Sequence, residues 1–324
     1  MKAIISNQPG PPDTLELVDL DEPSAGAGEV VIDIDSAALN FFDTLIIEDK
    51  YQFKPNRPFA PGAEFAGTIE SIGAGVTGFE PGDRVMAYSG WDACREKIAV
   101  GSERVIPLPD DISFEAAAGL TVTYGTTIHG LRDRANLKPG ETLAVLGAAG
   151  GVGQAAVEIG KAMGAHVIAC ASSEEKLAFC RDLGADETIN YSDVSLKDAL
   201  KEVSGGKGVD VVYDPVGGDL AEEAVRGTGW NGRFLVIGFA AGTIPKIPLN
   251  LVLLKGCSLV GVFWGSFLQR TPDHHATNMA MILNWVKEGK IRPHIDSTYP
   301  LAEVPEALKA LAERRVMGKV IVKP

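Results

Sequence analysis

The chain has 324 residues, a net charge of −13, 45% hydrophobic residues and 23% charged ones. That length suits two domains with cores of their own, and the composition is that of a globular protein. The acidic balance excludes a nucleic-acid binder, which needs a basic stripe to displace counterions. No nucleic-acid partner is expected, and an anionic ligand must be met by local cations and backbone donors.

The first residues, MKAIISNQPGPP, carry too short an apolar run for a signal peptide. The segment CSLVGVFWGSFL is far shorter than a membrane span. The expectation is a cytoplasmic protein with no membrane partner. Cys94, Cys170, Cys180 and Cys257 are scattered without a CxxC pair, so neither a disulfide framework nor a structural zinc is signalled.

Residues 1–125 read as mostly β. Glu29 to Asp35 alternates like a half-buried strand. Glu64 to Arg84 holds apolar segments broken by Gly67, Gly73, Gly75, Gly78 and a Pro81-Gly82-Asp83 turn, the spacing of a small barrel-like domain.

From 126 to 265 the rhythm changes to strand, turn, helix. A strand at Leu143–Leu146 precedes a helix over Val152–Met163, with Val152, Ala156, Ile159 and Met163 on one face and Gly164 as its stop. A strand at Val167–Cys170, a helix over Glu174–Leu183, a short strand at Thr188–Asn190 and a helix over Leu196–Val203 follow. Strands at Val209–Tyr213, Phe234–Ile237 and Ser258–Phe263 complete a parallel sheet covered on both faces. The tail, 266–324, reads as helices at Thr277–Lys287 and Pro305–Arg314 and a strand at Lys319–Val322, a return segment completing the first domain.

The stretch LGAAGGVGQ, residues 146–154, joins the first strand of this second region to its helix. A dinucleotide fold needs a tight turn there, a bare backbone at the pyrophosphate and a close helix–sheet contact. Ala148, Gly150 and Gly153 fall on the three fingerprint positions, with alanine at the first and Gly151 extra. The helix start over Ala149, Gly150, Gly151, Val152 and Gly153 then offers N–H groups to the phosphates. A packing turn without a ligand would use the same glycines.

The second strand ends in Ala169-Cys170-Ala171-Ser172-Ser173-Glu174-Glu175-Lys176. No acid stands at its tip to hold a ribose 2′-OH. Ser172, Ser173 and Lys176 suit a 2′-phosphate, pointing to NADPH over NADH. The alternative is a capping box of Ser172 with Glu175 and a plain surface lysine; Glu174 and Glu175 also add negative charge nearby.

Asn40-Phe41-Phe42-Asp43, Pro61-Gly62-Ala63-Glu64, Lys138-Pro139-Gly140-Glu141, Ala148 to Gly153, Leu183-Gly184-Ala185-Asp186 with Ile189-Asn190-Tyr191, and Gly318-Lys319-Val320 occur in this order nearly end to end. Together they resemble the zinc-free quinone oxidoreductase branch of the medium-chain dehydrogenase/reductase superfamily. The resemblance implies an α/β chain with a GroES-like β-rich catalytic domain (1–125) and a Rossmann NADPH-binding domain (126–265). It also implies a homodimer that extends the cofactor sheet through the strand near Ser258–Phe263. By motif match, Ser172, Lys176 and Tyr191 would surround the 2′-phosphate and Thr123 would lie near the nicotinamide. Gly238, Phe239, Phe263 and Trp264 would pass along the cofactor.

Zinc-using members resemble this chain but carry cysteine and histidine where Asn40 and Ala63 stand. An amide and a methyl group do not replace a thiolate and an imidazole, and Glu64 alone does not hold a catalytic zinc. The adjacent His274-His275 reads as surface rather than as ligands. No metal is expected. Hydride delivery to an acceptor already activated by conjugation is then the easier chemistry: a quinone, or alternatively the double bond of an enone, enal or enoyl thioester. Asn40 could bond a substrate oxygen or the cofactor, and Tyr51 could donate to the acceptor. Phe41, Phe42 and Trp264 would make the site apolar. A reading of another class is a non-catalytic NADPH-binding sensor or structural protein.

Overall fold

A computed structural model describes all 324 residues. The chain forms two units: Met1–Val122 with Pro293–Pro324, and Thr123–Arg292. The return to the first unit thus comes at Pro293, later than the sequence reading placed it. Helices Trp264–Arg270 and Pro272–Lys287 stay with the second unit because Trp264, Met279, Ile282 and Leu283 are buried there.

The first unit is built on the eleven-residue strand Glu29–Leu39. Its β-branched and small residues alternate, and Val30, Ile32, Ile34, Ala37 and Leu39 enter one core with Phe59, Phe65 and Val320. Across the sheet the strands run Ile295–Pro300, Lys319–Lys323, Glu29–Leu39, Glu64–Ile72, Arg84–Tyr88 and Val105–Pro107, with Lys97–Gly101 also paired to Glu29–Leu39. All pairs are antiparallel except the first. The C-terminal strand is therefore threaded beside Glu29–Leu39, and it brings Lys319 against residues from the first half of the chain.

In the second unit six parallel strands lie in the order Glu187–Asn190, His166–Ala171, Thr142–Leu146, Val209–Asp214, Thr228–Val236 and Ser258–Gly261. Counted along the chain this is 3-2-1-4-5-6, the doubly wound order, whose reversal falls between Thr142–Leu146 and Val209–Asp214. Because every strand is parallel, all six carboxyl ends share one edge of the sheet. The helix after the first strand spans Gly151–Ala162 and is buried on nearly every side from Gly153 to Gly160. It is wedged against helix Thr123–Ile128, so the single apolar stripe of the sequence reading understates its burial. The helix Gly218–Gly227, with a glycine at each end and Ala221, Ala224 and Val225 buried on one face, escaped that reading.

Candidate active site

The turn after the first parallel strand starts at Gly147, whose φ of +57 suits a glycine. Gly147, rather than the fully buried Ala148, thus provides the tight bend. Gly150 donates its N–H to the Gly147 carbonyl at 3.0 Å and caps the helix, and Gln154 N–H closes the first turn on Gly150 O at 2.7 Å. Gly151, Val152 and Gly153 precede that first donor, Gln154, so helix geometry leaves their N–H groups without intrahelical partners. A Cβ on Gly150 would meet nothing nearer than 3.5 Å, whereas one on Gly153 would lie 2.2 Å from Gly147 O. The two glycines do different things: Gly153 lets the helix touch the turn, and Gly150 keeps the outer backbone bare. Ala149 is buried beneath them.

At the ends of the second and third strands the backbone is stitched together. Tyr191 N–H donates to Ala171 O at 3.2 Å, and Ser192 Oγ donates to Ser172 O at 3.0 Å. This sets Tyr191 beside Ser172 at the same sheet edge. Ser173, not Ser172, caps helix Glu174–Asp182, accepting from Lys176 N–H at 3.4 Å. The capping box of Ser172 with Glu175 is therefore not formed: the helix starts one residue later, and the exposed Ser172 lies outside it. Glu174 pairs with Arg181, which draws one of the two troublesome carboxylates along the helix.

Asp214 ends the fourth strand and is buried. Its Oδ1 accepts from Val216 N–H at 2.8 Å and Gly217 N–H at 2.9 Å. Burial raises its carboxyl to about 6, against those two bonds. Val216 Cγ2 lies where a Cβ on Gly147 would come within 2.9 Å, so the first and fourth strand ends lock at the reversal point. Gly238 follows, its N–H on Asp214 O at 3.3 Å, and Phe239 and Phe263 are exposed. Trp264 instead is packed inward, against Gly125 and edge-on to His275 at 5.6 Å between centroids. Thr123 is buried at the start of its helix, with its carbonyl accepting from Thr127 Oγ1 at 2.7 Å. The second of the paired histidines turns inward as well: burial, and then His129, lowers His275 to about 4.

The first unit presents a separate constellation. Asn40 ends the strand Glu29–Leu39 and starts helix Phe41–Ile46, with its N–H on Asp43 Oδ2 at 2.7 Å. Its side chain is 7% exposed. Asn40 Nδ2 donates to Glu64 Oε1 at 2.9 Å, and Asn40 Oδ1 accepts from Lys319 Nζ at 2.8 Å. Lys319 Nζ also lies 2.8 Å from Glu64 Oε1 and 3.2 Å from Leu39 O. Val122 N–H closes the set on Glu64 Oε2 at 2.7 Å. Glu64 and Lys319 are 0% and 2% exposed, a wholly buried ion pair. Asp43, which also accepts from Gly62 N–H at 3.1 Å, is raised to about 7 by burial, with Lys319 opposing.

Tyr51 stacks on Phe42 at 5.3 Å between centroids and tilts against Phe53 at 6.1 Å. Burial, and then the nearby Asp43, pushes its hydroxyl above the usual phenol value, so it stays a donor. Tyr88 is shifted the same way by burial, with Tyr51, Asp43 and Glu64 adding to it. The sequence reading missed Lys319 and Tyr88 as parts of this group. A visible signal for the first was a lysine directly before the apolar run Val320-Ile321-Val322.

These donors do not fit a zinc ion. No three His, Cys, Asp or Glu side chains converge on a common point. Ala63 offers a methyl group, the Asn40 amide is held by Glu64 and Lys319, and the Glu64 oxygen already faces an ammonium. No helix is long and apolar enough to cross a membrane.

Two family models match: "Zinc-binding dehydrogenase" over residues 151–281 and "Alcohol dehydrogenase GroES-like domain" over residues 26–125. The quinone oxidoreductase-like protein 2 homolog of Nematostella vectensis is 36% identical over 329 residues, covering 99% of this chain and 88% of that protein. The structure of Escherichia coli quinone oxidoreductase complexed with NADPH superposes with a TM-score of 0.93, at 28% identity and 100% coverage of both chains. CurK enoyl reductase superposes with a TM-score of 0.89, at 26% identity and coverage of 99% of this chain and 98% of that one.

Proposed function

We propose a reaction from one premise: the chain belongs to the quinone oxidoreductase branch of the medium-chain dehydrogenase/reductase superfamily. It binds NADPH and reduces a quinone or another conjugated carbonyl acceptor without a metal. The observation that supports this reading is the shared carboxyl edge of the 3-2-1-4-5-6 sheet: the bare Gly150 backbone follows its first strand, Ser172 its second and Tyr191 its third.

The N–H groups of Gly151, Val152 and Gly153 bind the pyrophosphate, helped by the helix dipole. Ser172, Ser173, Lys176 and Tyr191 hold the 2′-phosphate. Thr123, Gly238, Phe239 and Phe263 line the nicotinamide half. Bound there, NADPH supplies a hydride. Asn40 and Tyr51 donate hydrogen bonds to the acceptor oxygen as it gains negative charge, and Phe42, Tyr51 and Phe53 exclude water around a flat ring. The edge strand Ser258–Gly261, with exposed Leu259 in it and exposed Leu249, Leu253 and Leu254 in the helix before it, supports a homodimer through that edge.

The likeness to CurK enoyl reductase favours a second reading, reduction of a conjugated carbon–carbon double bond. Steady-state rates with 1,4-benzoquinone, a simple enone and an enoyl thioester, each with NADPH and with NADH, separate the two. Turnover of quinone with NADPH is expected; turnover of an alkene with quinone inert moves the assignment to the second reading. Tight NADPH binding with no acceptor reduced would make the protein a sensor.

A further inference from the structure

We propose that Glu64 and Lys319 are positioning residues, which fix the Asn40 amide so that one Nδ2–H remains for the acceptor oxygen. The proposal rests on the reading that the acceptor carries a carbonyl oxygen.

An ammonium has three protons, and Lys319 gives them to Leu39 O, Asn40 Oδ1 and Glu64 Oε1. None is left for a substrate, so the cation acts through a neighbour. Asn40 gives one Nδ2 proton to Glu64 and keeps the other. A flipped amide would set its NH2 against the ammonium and its oxygen against the carboxylate, two repulsions at hydrogen-bond distance. The charges therefore decide which end of the amide is which. A cation on Oδ1 also draws electron density from the amide and makes the remaining N–H a stronger donor toward an anion.

Stability alone does not account for the pair. Two buried charges lose hydration, and an apolar pair of the same volume often serves a core as well or better. Here the fold makes room for the charge instead: a Cβ on Gly119 would lie 3.1 Å from Lys319 Cε and Cγ. Asp43 and Tyr88 are coupled to this cluster, Tyr51 and Cys94 to Asp43, and none of them replaces the contact to Oδ1.

The test is a mutant cycle on the full chain with E64Q/K319M, N40A and the triple variant, read as kcat and KM with NADPH and 1,4-benzoquinone. The pair swap is neutral and close in volume, so the melting temperature should stay near that of the wild type. It should lower kcat about tenfold, as N40A does, leave the KM for NADPH unchanged, and add less than about twofold once Asn40 is gone. An unchanged kcat, or an equal fall with and without Asn40, overturns the proposal. If E64Q/K319M does not fold, K319R keeps the charge and changes the geometry; wild-type kcat in K319R overturns the proposal and a fall supports it. If the wild type reduces no acceptor, the reaction reading fails on its own. The proton exchange of the Asn40 side-chain amide, followed by NMR, then decides: faster exchange in the pair variant supports positioning, and the wild-type rate overturns it.

Discussion

A Cβ built on Gly153 would sit 2.2 Å from the carbonyl oxygen of Gly147, while one on Gly150 would have 3.5 Å of clearance from the same atom. The oxygen is backbone at a strand end and the Cβ is fixed by its helix backbone, so neither can turn away. Gly153→Ala should therefore cost about 3 kcal/mol or more of stability. Gly150→Ala, at a φ of −77, should cost only a few tenths. It should nonetheless weaken NADPH binding about tenfold or more, because in the proposed binding mode the new methyl group meets the pyrophosphate. Thermal melts with and without NADPH, beside titration of the cofactor, check both; a Gly150→Ala protein with wild-type affinity removes the phosphates from this turn.

Lys176 follows the capping serine of its helix, and Glu174 is drawn off to Arg181. Lys176→Ala should weaken NADPH by about ten- to a hundredfold, the size of one charged hydrogen bond. NADH, which lacks the 2′-phosphate, should be nearly unaffected. Equal losses for both cofactors in fluorescence titrations would place Lys176 elsewhere.

How much of this was legible in the chain depends on the range of the interactions. The Rossmann half was readable because its signals are local: LGAAGGVGQ encodes strand, bend and helix within nine residues. The serine that caps the next helix was off by one because Ser172 and Ser173 carry the same chemistry, and only the backbone path decides which has the extended φ/ψ. The polar group around Asn40 was half legible. Asn40, Asp43, Glu64 and Lys319 all stand in motifs, but that Lys319 meets Asn40 across 279 residues follows only from pairing of the last strand with Glu29–Leu39. Trp264 looked like part of the cofactor face because it ends a strand; it is buried because Gly125, on another helix, leaves room for its ring.

The exposed leucines of helix Leu249–Lys255 precede an uncovered edge strand. Leu253→Glu places a charge on that face and removes apolar area from any interface there. Light scattering after gel filtration should show a dimer for the wild type and a shift toward monomer for the variant. A wild-type monomer at micromolar concentration ends the homodimer proposal.

Asp43 gives the first unit a pH dependence of unusual sign. Its folded value is about 7 and its unfolded value 3.8, so between these the folded state holds a proton the unfolded state has lost. Its contribution is full below about pH 4 and is lost as pH rises through 7, by at most about 1.4 kcal/mol per pH unit. Asp43→Asn should flatten that limb of the stability curve, measured by urea unfolding across pH 4–8. It should also cost about 1 kcal/mol at low pH, since one amide oxygen replaces two acceptors for Asn40 and Gly62 N–H. An unaltered slope in the variant would show that Asp43 is ionised throughout.

His275 works in the opposite direction in the second unit. Burial first, and His129 second, lowers it to about 4 from 6.5, so between these values the unfolded state binds the proton more readily. Stability that is present above pH 6.5 is lost as pH falls toward 4. The Nδ1 atom of His275 is buried without a hydrogen-bond partner, so a ring with no nitrogen gives up no bond there. His275→Phe should keep the edge-on contact with Trp264 and lessen the stability lost by the second unit between pH 6.5 and 4. Tryptophan fluorescence during urea unfolding, at pH 7 and at pH 4.5, checks this. If the variant loses as much stability on acidification as the wild type, the acid sensitivity lies in other groups of that unit and not in this imidazole.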